Sequence, residues 1–127
     1  MSKIYAIGDV HGCNSLLIKL LAAINPQKHD TVIFLGDVID RGEDSKGVLD
    51  TTIQYQSICQ VILIQGNHEE MMLGAVQEKE YLKYWLKFGG IETLQSFDVV
   101  ISQQGLRQIP YAYYKLLKSS LPYYETE

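Results

Sequence analysis

Three short blocks hold the side chains best suited to chemistry: Gly8-Asp9-Val10-His11-Gly12, Gly36-Asp37-Val38-Ile39-Asp40-Arg41-Gly42 and Gly66-Asn67-His68-Glu69-Glu70. Their donors are carboxylate oxygens, imidazole nitrogens and one amide oxygen, with no cysteine. Such a set suits hard or borderline divalent cations such as manganese, iron or zinc. Asp9 and His11 are two residues apart, which on an extended backbone turns both donors to one side, enough to grip one ion. Asp37 has two oxygens and can bridge to a second ion, as in sites whose cations sit about 3.5 to 4 Å apart. Asn67 offers that second ion a neutral carbonyl oxygen. Two such cations can ionise a water and neutralise phosphoryl oxygens, the help that the very slow hydrolysis of a phosphate ester needs. Arg41 adds a fork that matches two phosphate oxygens. His68 is left free to act as acid or base, and Asp40 is placed to hydrogen-bond it and favour the imidazolium that protonates a leaving alkoxide.

Taken singly, these residues are unspecific. An aspartate after a buried strand is usually a helix cap, a histidine on a loop is usually solvated, and each glycine is an ordinary turn residue. The signal lies in the order and spacing of the set, which depends on the elements between the blocks. Ile4 to Ile7, Thr31 to Leu35 and Val61 to Ile64 are short, β-branched-rich runs closed by glycine, the pattern of parallel strands buried on both faces. Between the first two, Leu16, Leu17, Leu20, Leu21 and Ile24 recur at helical spacing behind an Asn14 or Ser15 cap. Val48, Leu49, Thr52 and Ile53 repeat that rhythm before the third strand. The reading is β-α-β-α-β, with a block at the carboxyl end of every strand, where open parallel sheets bind their ligands.

Beyond the third block the pattern predicts helices over Glu69 to Val76 and Glu80 to Phe88, the latter stopped by Gly89-Gly90 in a left-handed helix end. A short helical turn over Ile91 to Phe97, a strand over Asp98 to Ser102 and a tyrosine-rich helix over Tyr111 to Leu121 complete the expectation. Met71, Met72, Tyr81, Trp85 and Phe88 read as core or lid packing, and the late tyrosines as packing ahead of a groove lining.

The chain has 127 residues, enough for one domain, and its 46% hydrophobic content is sufficient for a core. A net charge of −4 without a basic stripe argues against a nucleic-acid partner. Cys13 and Cys59 form no disulfide framework or CxxC pair, and no apolar stretch has the length of a signal core or membrane span, so a cytoplasmic protein with no membrane partner is expected. No glycine-rich phosphate loop followed by Lys-Ser/Thr points to a nucleotide-binding switch.

The blocks resemble the phosphoprotein phosphatase branch of the calcineurin-like metallophosphoesterases, whose pattern is GDxHG, GDxVDRG and GNHE; this chain has GDVHG, GDVIDRG and GNHEE, with Ile39 in place of the usual valine. Trp85 to Leu94, WLKFGGIETL, is similar to a stretch after GNHE in bacterial serine/threonine phosphatases and symmetrical dinucleoside tetraphosphatases. The resemblance implies that Asp9, His11 and Asp37 bind a first metal, that Asp37 bridges to a second also bound by Asn67, that Arg41 holds phosphate, and that Asp40 orients His68 as the general acid. It implies two divalent ions, most often manganese, iron or zinc, and a phosphoprotein or small phosphate-ester substrate. It also implies two further histidine ligands and a second arginine from a C-terminal half. The only other histidine is His29, in a polar turn, and Arg107 has no motif around it. The expectation is therefore a single partial domain over residues 1–127. It would be the N-terminal β-α-β-α-β half of a metallophosphoesterase α/β sandwich, the C-terminal half missing from a truncated product or fragment. Its second metal site would be incomplete, and its uncovered sheet open to self-association. Serine/threonine phosphatase-type hydrolysis is the leading functional reading. The alternatives are a symmetrical dinucleoside tetraphosphatase-like hydrolase and a remnant that only binds metal or phosphate.

Overall fold

A computed structural model describes residues 1–125 of the chain. Three parallel strands form one sheet in sequence order: β1 (Ile4–Ile7), β2 (Thr31–Phe34) and β3 (Gln60–Leu63). Ile4 lies opposite Thr31, and Thr31 opposite Gln60, so the strands end level and deliver their following loops to one edge. Helix α1 (Asn14–Ile24) and helix α2 (Ser45–Tyr55) are the crossovers. They pack against each other.

The central strand is buried throughout, but β1 and β3 are not, so burial on both faces holds only for β2. The edge position is the physical reason: Ile4 stays 53% exposed, and the outward residues Leu16, Ile18 and Leu20 of α1 are also exposed. The β3 edge is met by Leu121, whose N–H donates to the Leu63 carbonyl at 2.8 Å and whose carbonyl accepts from Gln65 N–H at 2.8 Å. This bridge to Ile64 is parallel, like the sheet.

Helix α3 (Asn67–Gln77) is followed by α4 (Lys79–Trp85), a π turn (Leu86–Gly90), α5 (Ile91–Ser96), α6 (Gln103–Gln108) and α7 (Tyr111–Lys118). Gly89 does take a left-handed conformation, with φ of 107°, but Gly90 returns to helical angles, so the pair kinks the chain rather than ending the helix. The strand expected over Asp98 to Ser102 is absent. Its β-branched residues find no strand partner, and the Ser102 hydroxyl instead accepts from Gly105 N–H at 3.2 Å, capping α6. The cap of α1 falls on Cys13, which makes no side-chain cap bond; Asn14 instead accepts from the Thr51 hydroxyl at 2.8 Å.

One core joins the sheet to the later helices. Phe34 and Leu21 are packed with Ile39, Leu49, Met72, Trp85, Leu94, Leu106 and Leu117, all fully buried. Tyr113 and Tyr114 pack rather than line a groove: Tyr114 is buried and donates to the Leu106 carbonyl at 2.5 Å, and Tyr113 donates to Asp50 at 2.6 Å. No helix among the described residues is long and apolar enough to cross a membrane.

Candidate active site

The three blocks meet at the carboxyl edge of the sheet. Asp9 and Asp37 follow β1 and β2 by two and three residues, and Asn67 and His68 form the first turn of α3, which begins four residues after β3. Main-chain bonds lock the first loop to the second: His11 N–H donates to the Asp37 carbonyl at 3.0 Å and Gly12 N–H to the Val38 carbonyl at 2.9 Å. One ligand atom from each of Asp9, His11 and Asp37 lies within 4.8 Å of the others, a spacing that one cation can span. His11 Nδ1 sits 3.0 Å from the Ile39 carbonyl; with the proton on Nδ1, Nε2 is left as the donor toward the cluster.

Asp9 and His11 do not converge through an extended backbone. Their φ angles are 51° and 41°, both left-handed. Among the described residues, seven non-glycine positions have positive φ, and five of them are Asp9, His11, Asp37, Asp40 and Arg41. Such angles cost on the order of 1–3 kcal/mol each and persist only where the surroundings enforce them, and their clustering singles out this edge as the candidate site. Aspartate and histidine tolerate this region better than arginine. Arg41 is held there by its own N–H, which donates to the Gly89 carbonyl at 3.2 Å.

Behind the cluster, the Asp40 carboxylate is fully buried and met by three side-chain donors. Its Oδ2 accepts from His68 Nδ1 at 2.7 Å and from Trp85 Nε1 at 2.6 Å, and its Oδ1 from the Thr93 hydroxyl at 2.6 Å. Burial pushes the Asp40 carboxyl above the ordinary carboxylate range, while the bonds from Thr93, His68 and Trp85 pull it down. With Nδ1 committed to Asp40, Nε2 is the available nitrogen of His68. The ring stands edge-on to that of His11, with centroids 4.9 Å apart. His68 N–H also donates to Asp37 Oδ1 at 3.1 Å, so the acid–base candidate and the metal-ligand candidate are positioned together. Asn67 and Arg41 are exposed and border the same cleft as His68.

The model of the calcineurin-like phosphoesterase family matches residues 2–122. The chain belongs to that family. Serine/threonine-protein phosphatase 1 of Salmonella typhimurium is 38% identical over 89 residues, which cover 68% of this chain and 38% of that one. Serine/threonine-protein phosphatase 2 of the same organism is 36% identical over 88 residues, with the same two shares. A symmetrical bis(5'-nucleosyl)-tetraphosphatase of Chromobacterium violaceum is 44% identical over 77 residues, 59% of this chain and 26% of that one. A crystal structure provisionally described as a diadenosine tetraphosphatase superposes with a TM-score of 0.54 at 25% identity, covering 85% of this chain and 43% of the other. The chain thus aligns with well under half the length of the relatives it matches.

Three contributors to this calcineurin-like phosphoesterase site escaped sequence reasoning. Glu69, fully buried, clamps two loops: Oε1 accepts from Asp37 N–H at 2.7 Å and Gly66 N–H at 2.9 Å, and Oε2 from Val38 N–H at 3.0 Å. Burial pushes its carboxyl up, against those three backbone bonds. Trp85 reads from sequence as packing and Thr93 as one residue of a short helical turn, yet both hold Asp40, 45 and 53 positions away in sequence. Only Glu69 carried a signal, as an acid three residues after a glycine that opens a helix. Gly66 of the third block answers a steric need. A Cβ on Gly66 would meet Asp37 Oδ1 and come within 2.5 Å of Asp37 N and 2.8 Å of Glu69 Oε1.

Proposed function

We propose that this chain carries a metal-dependent phosphoester hydrolase site, most directly one acting on phosphomonoesters of serine or threonine in proteins. The observation that supports the reading best is the Asp9–His11–Asp37 cluster tied, through Asp37 Oδ1 and the backbone of His68, to a histidine whose ring is anchored on a buried aspartate. The donor set of carboxylates and one imidazole fits a divalent ion, with manganese our first choice and iron or zinc the alternatives. Asp9, His11 and Asp37 would hold that ion, and Asp37 and Asn67 would offer donors to a second. When bound, such cations supply an ionised water and charge neutralisation at the phosphoryl group.

The remaining work belongs to the protein. Arg41, its backbone fixed by Gly89, would place its guanidinium fork on two non-bridging phosphoryl oxygens. His68 would donate its Nε2 proton to the departing oxygen, and Asp40 would keep the ring in the one orientation that presents Nε2. Trp85 and Thr93 would hold Asp40 still. A cytoplasmic setting and self-association through the β1 edge and the α1 face belong to the same proposal, and neither nucleic acid nor membrane enters it.

The test is hydrolysis of phenyl phosphate, a phosphoserine peptide and a dinucleoside tetraphosphate side by side with manganese. The monoesters should turn over, and His68→Ala and Asp37→Ala should abolish that turnover. Preference for the tetraphosphate would move the assignment to the tetraphosphatase relatives. A second reading, a domain that binds metal and phosphate without turnover, is favoured by the two protein donors, Asp37 and Asn67, at the second position. Metal-saturated protein that binds phosphate but hydrolyses none of the three substrates would establish it.

A further inference from the structure

Beside His68 lies a cleft of about 370 Å³, the size of a small-ligand pocket. Its lining brings together Arg41, His68 and Glu70 with the aromatic side chains of Tyr81, Tyr84 and Phe88. Tyr81 and Tyr84 come from α4 and Phe88 from the π turn after it, and all three line the same cleft. They remain 43%, 54% and 40% exposed, while Trp85, on α4, is completely buried. Tyr84 and Phe88 already pair, with ring centroids 4.8 Å apart and planes tilted by 47°.

We infer that this cleft is a leaving-group subsite selecting an uncharged aromatic ring on the leaving side of the phosphoryl group. The inference rests on the roles proposed above for His68 and Arg41. A side chain that protonates the departing oxygen must reach it by a hydrogen bond, so the body of the leaving group occupies space that His68 lines. A ring there meets the faces and edges of Tyr81, Tyr84 and Phe88, in the offset or edge-on geometry aromatic pairs favour. Once the transferred phosphoryl group engages Arg41, Glu70 is the charge left in the lining apart from the His68 ring. Its carboxylate repels a leaving group that itself carries phosphate or carboxylate. The selected ring can be an aromatic side chain next to a phosphorylated residue or a nucleobase.

The experiment is calorimetric titration of the manganese-loaded chain with unreactive phosphonates. Phenylphosphonate should bind about ten-fold more tightly than methylphosphonate. That ratio should fall close to one in Tyr84→Ala and in Phe88→Ala, with Tyr84→Leu as a third variant that keeps the helix surface apolar. A carboxylate on the ring should weaken binding by about three-fold, and Glu70→Gln should remove that penalty. A phosphoserine peptide with phenylalanine beside the phosphoserine, compared with alanine there, and adenosine monophosphate, compared with ribose 5-phosphate, separate the two ring sources. A preference for the ring in either pair supports the subsite. Equal binding of phenyl- and methylphosphonate, or a ratio unmoved by the aromatic variants, overturns the subsite while leaving the phosphate site standing. Binding of neither compound overturns the phosphate site and the subsite together.

Discussion

Replacing Glu69 by glutamine tests whether the second and third loops are held together by one carboxylate. In the native chain its two oxygens accept three backbone N–H groups, from Asp37, Val38 and Gly66. Glutamine has one acceptor oxygen. If it takes the place of Oε1, the bonds from Asp37 and Gly66 survive, and the amide NH2 is turned onto the N–H of buried Val38. Leaving one buried donor unpaired costs about 1–3 kcal/mol, and the donor–donor contact adds to it. A total near 2 kcal/mol is a sizeable share of the roughly 5–15 kcal/mol that holds a domain folded. With a urea dependence of about 1–3 kcal/mol per molar, the unfolding midpoint should drop by about 1 M. The titration is run with chelator, so that metal binding plays no part. Amide exchange then localises the effect: protection at Val38 should fall more than at Asp37 or Gly66. Glu69→Ala, which strands all three donors, should cost enough to leave much of the chain unfolded. A Glu69→Gln midpoint within 0.2 M of the parent, with Val38 protection unchanged, would refute this account of the clamp; that threshold corresponds to about 0.4 kcal/mol.

Other consequences can be checked on the same protein. Gly66→Ala puts a methyl group against Asp37 backbone and carboxylate, atoms that cannot move aside cheaply, so it should cost about 1–3 kcal/mol in chelator and weaken metal binding measured by calorimetry. Cys13 is exposed, while Cys59 is buried with its thiol pushed up by burial, so a thiol reagent at neutral pH should modify one cysteine quickly and the second only on unfolding. Burial pushes the Tyr114 hydroxyl from 10.0 up to about 12, so its stabilising contribution is complete below pH 10 and is lost as pH rises through about 12. Tyr114→Phe, which leaves the Leu106 carbonyl without its donor, should therefore be less stable at neutral pH, and the gap in urea midpoint should close between pH 10 and 12.

The β-α-β-α-β order and the meeting of the three blocks were legible because each block follows a strand and the crossover length sets the spacing. The ends of elements were less so. Asp98 to Ser102 has strand composition, but pairing depends on a free partner edge, which composition does not encode. The α6 helix hides behind that misreading, its Ser102 cap lying inside the expected strand. At the site, the groups that the sequence singles out are chemically distinctive, and the fold brings Asp9, His11, Asp37, Asp40 and His68 together. Trp85 and Thr93 are ordinary core types, and only the fold reveals that their polar atoms end on Asp40. The convergence of Asp9 with His11 was anticipated, although through an extended backbone rather than the left-handed one observed, because positive φ at non-glycine residues leaves little local signal.

The central claim is that Asp9, His11 and Asp37 form a metal site in this chain as it stands. The most direct measurement is calorimetric titration of the metal-free protein with manganese, repeated on His11→Ala and Asp37→Ala. One strong site per chain is expected, lost in both variants, with any further binding much weaker because only Asp37 and Asn67 among the described residues are proposed to serve the second position. Strong binding that survives both substitutions, or no binding to the parent chain, would contradict it.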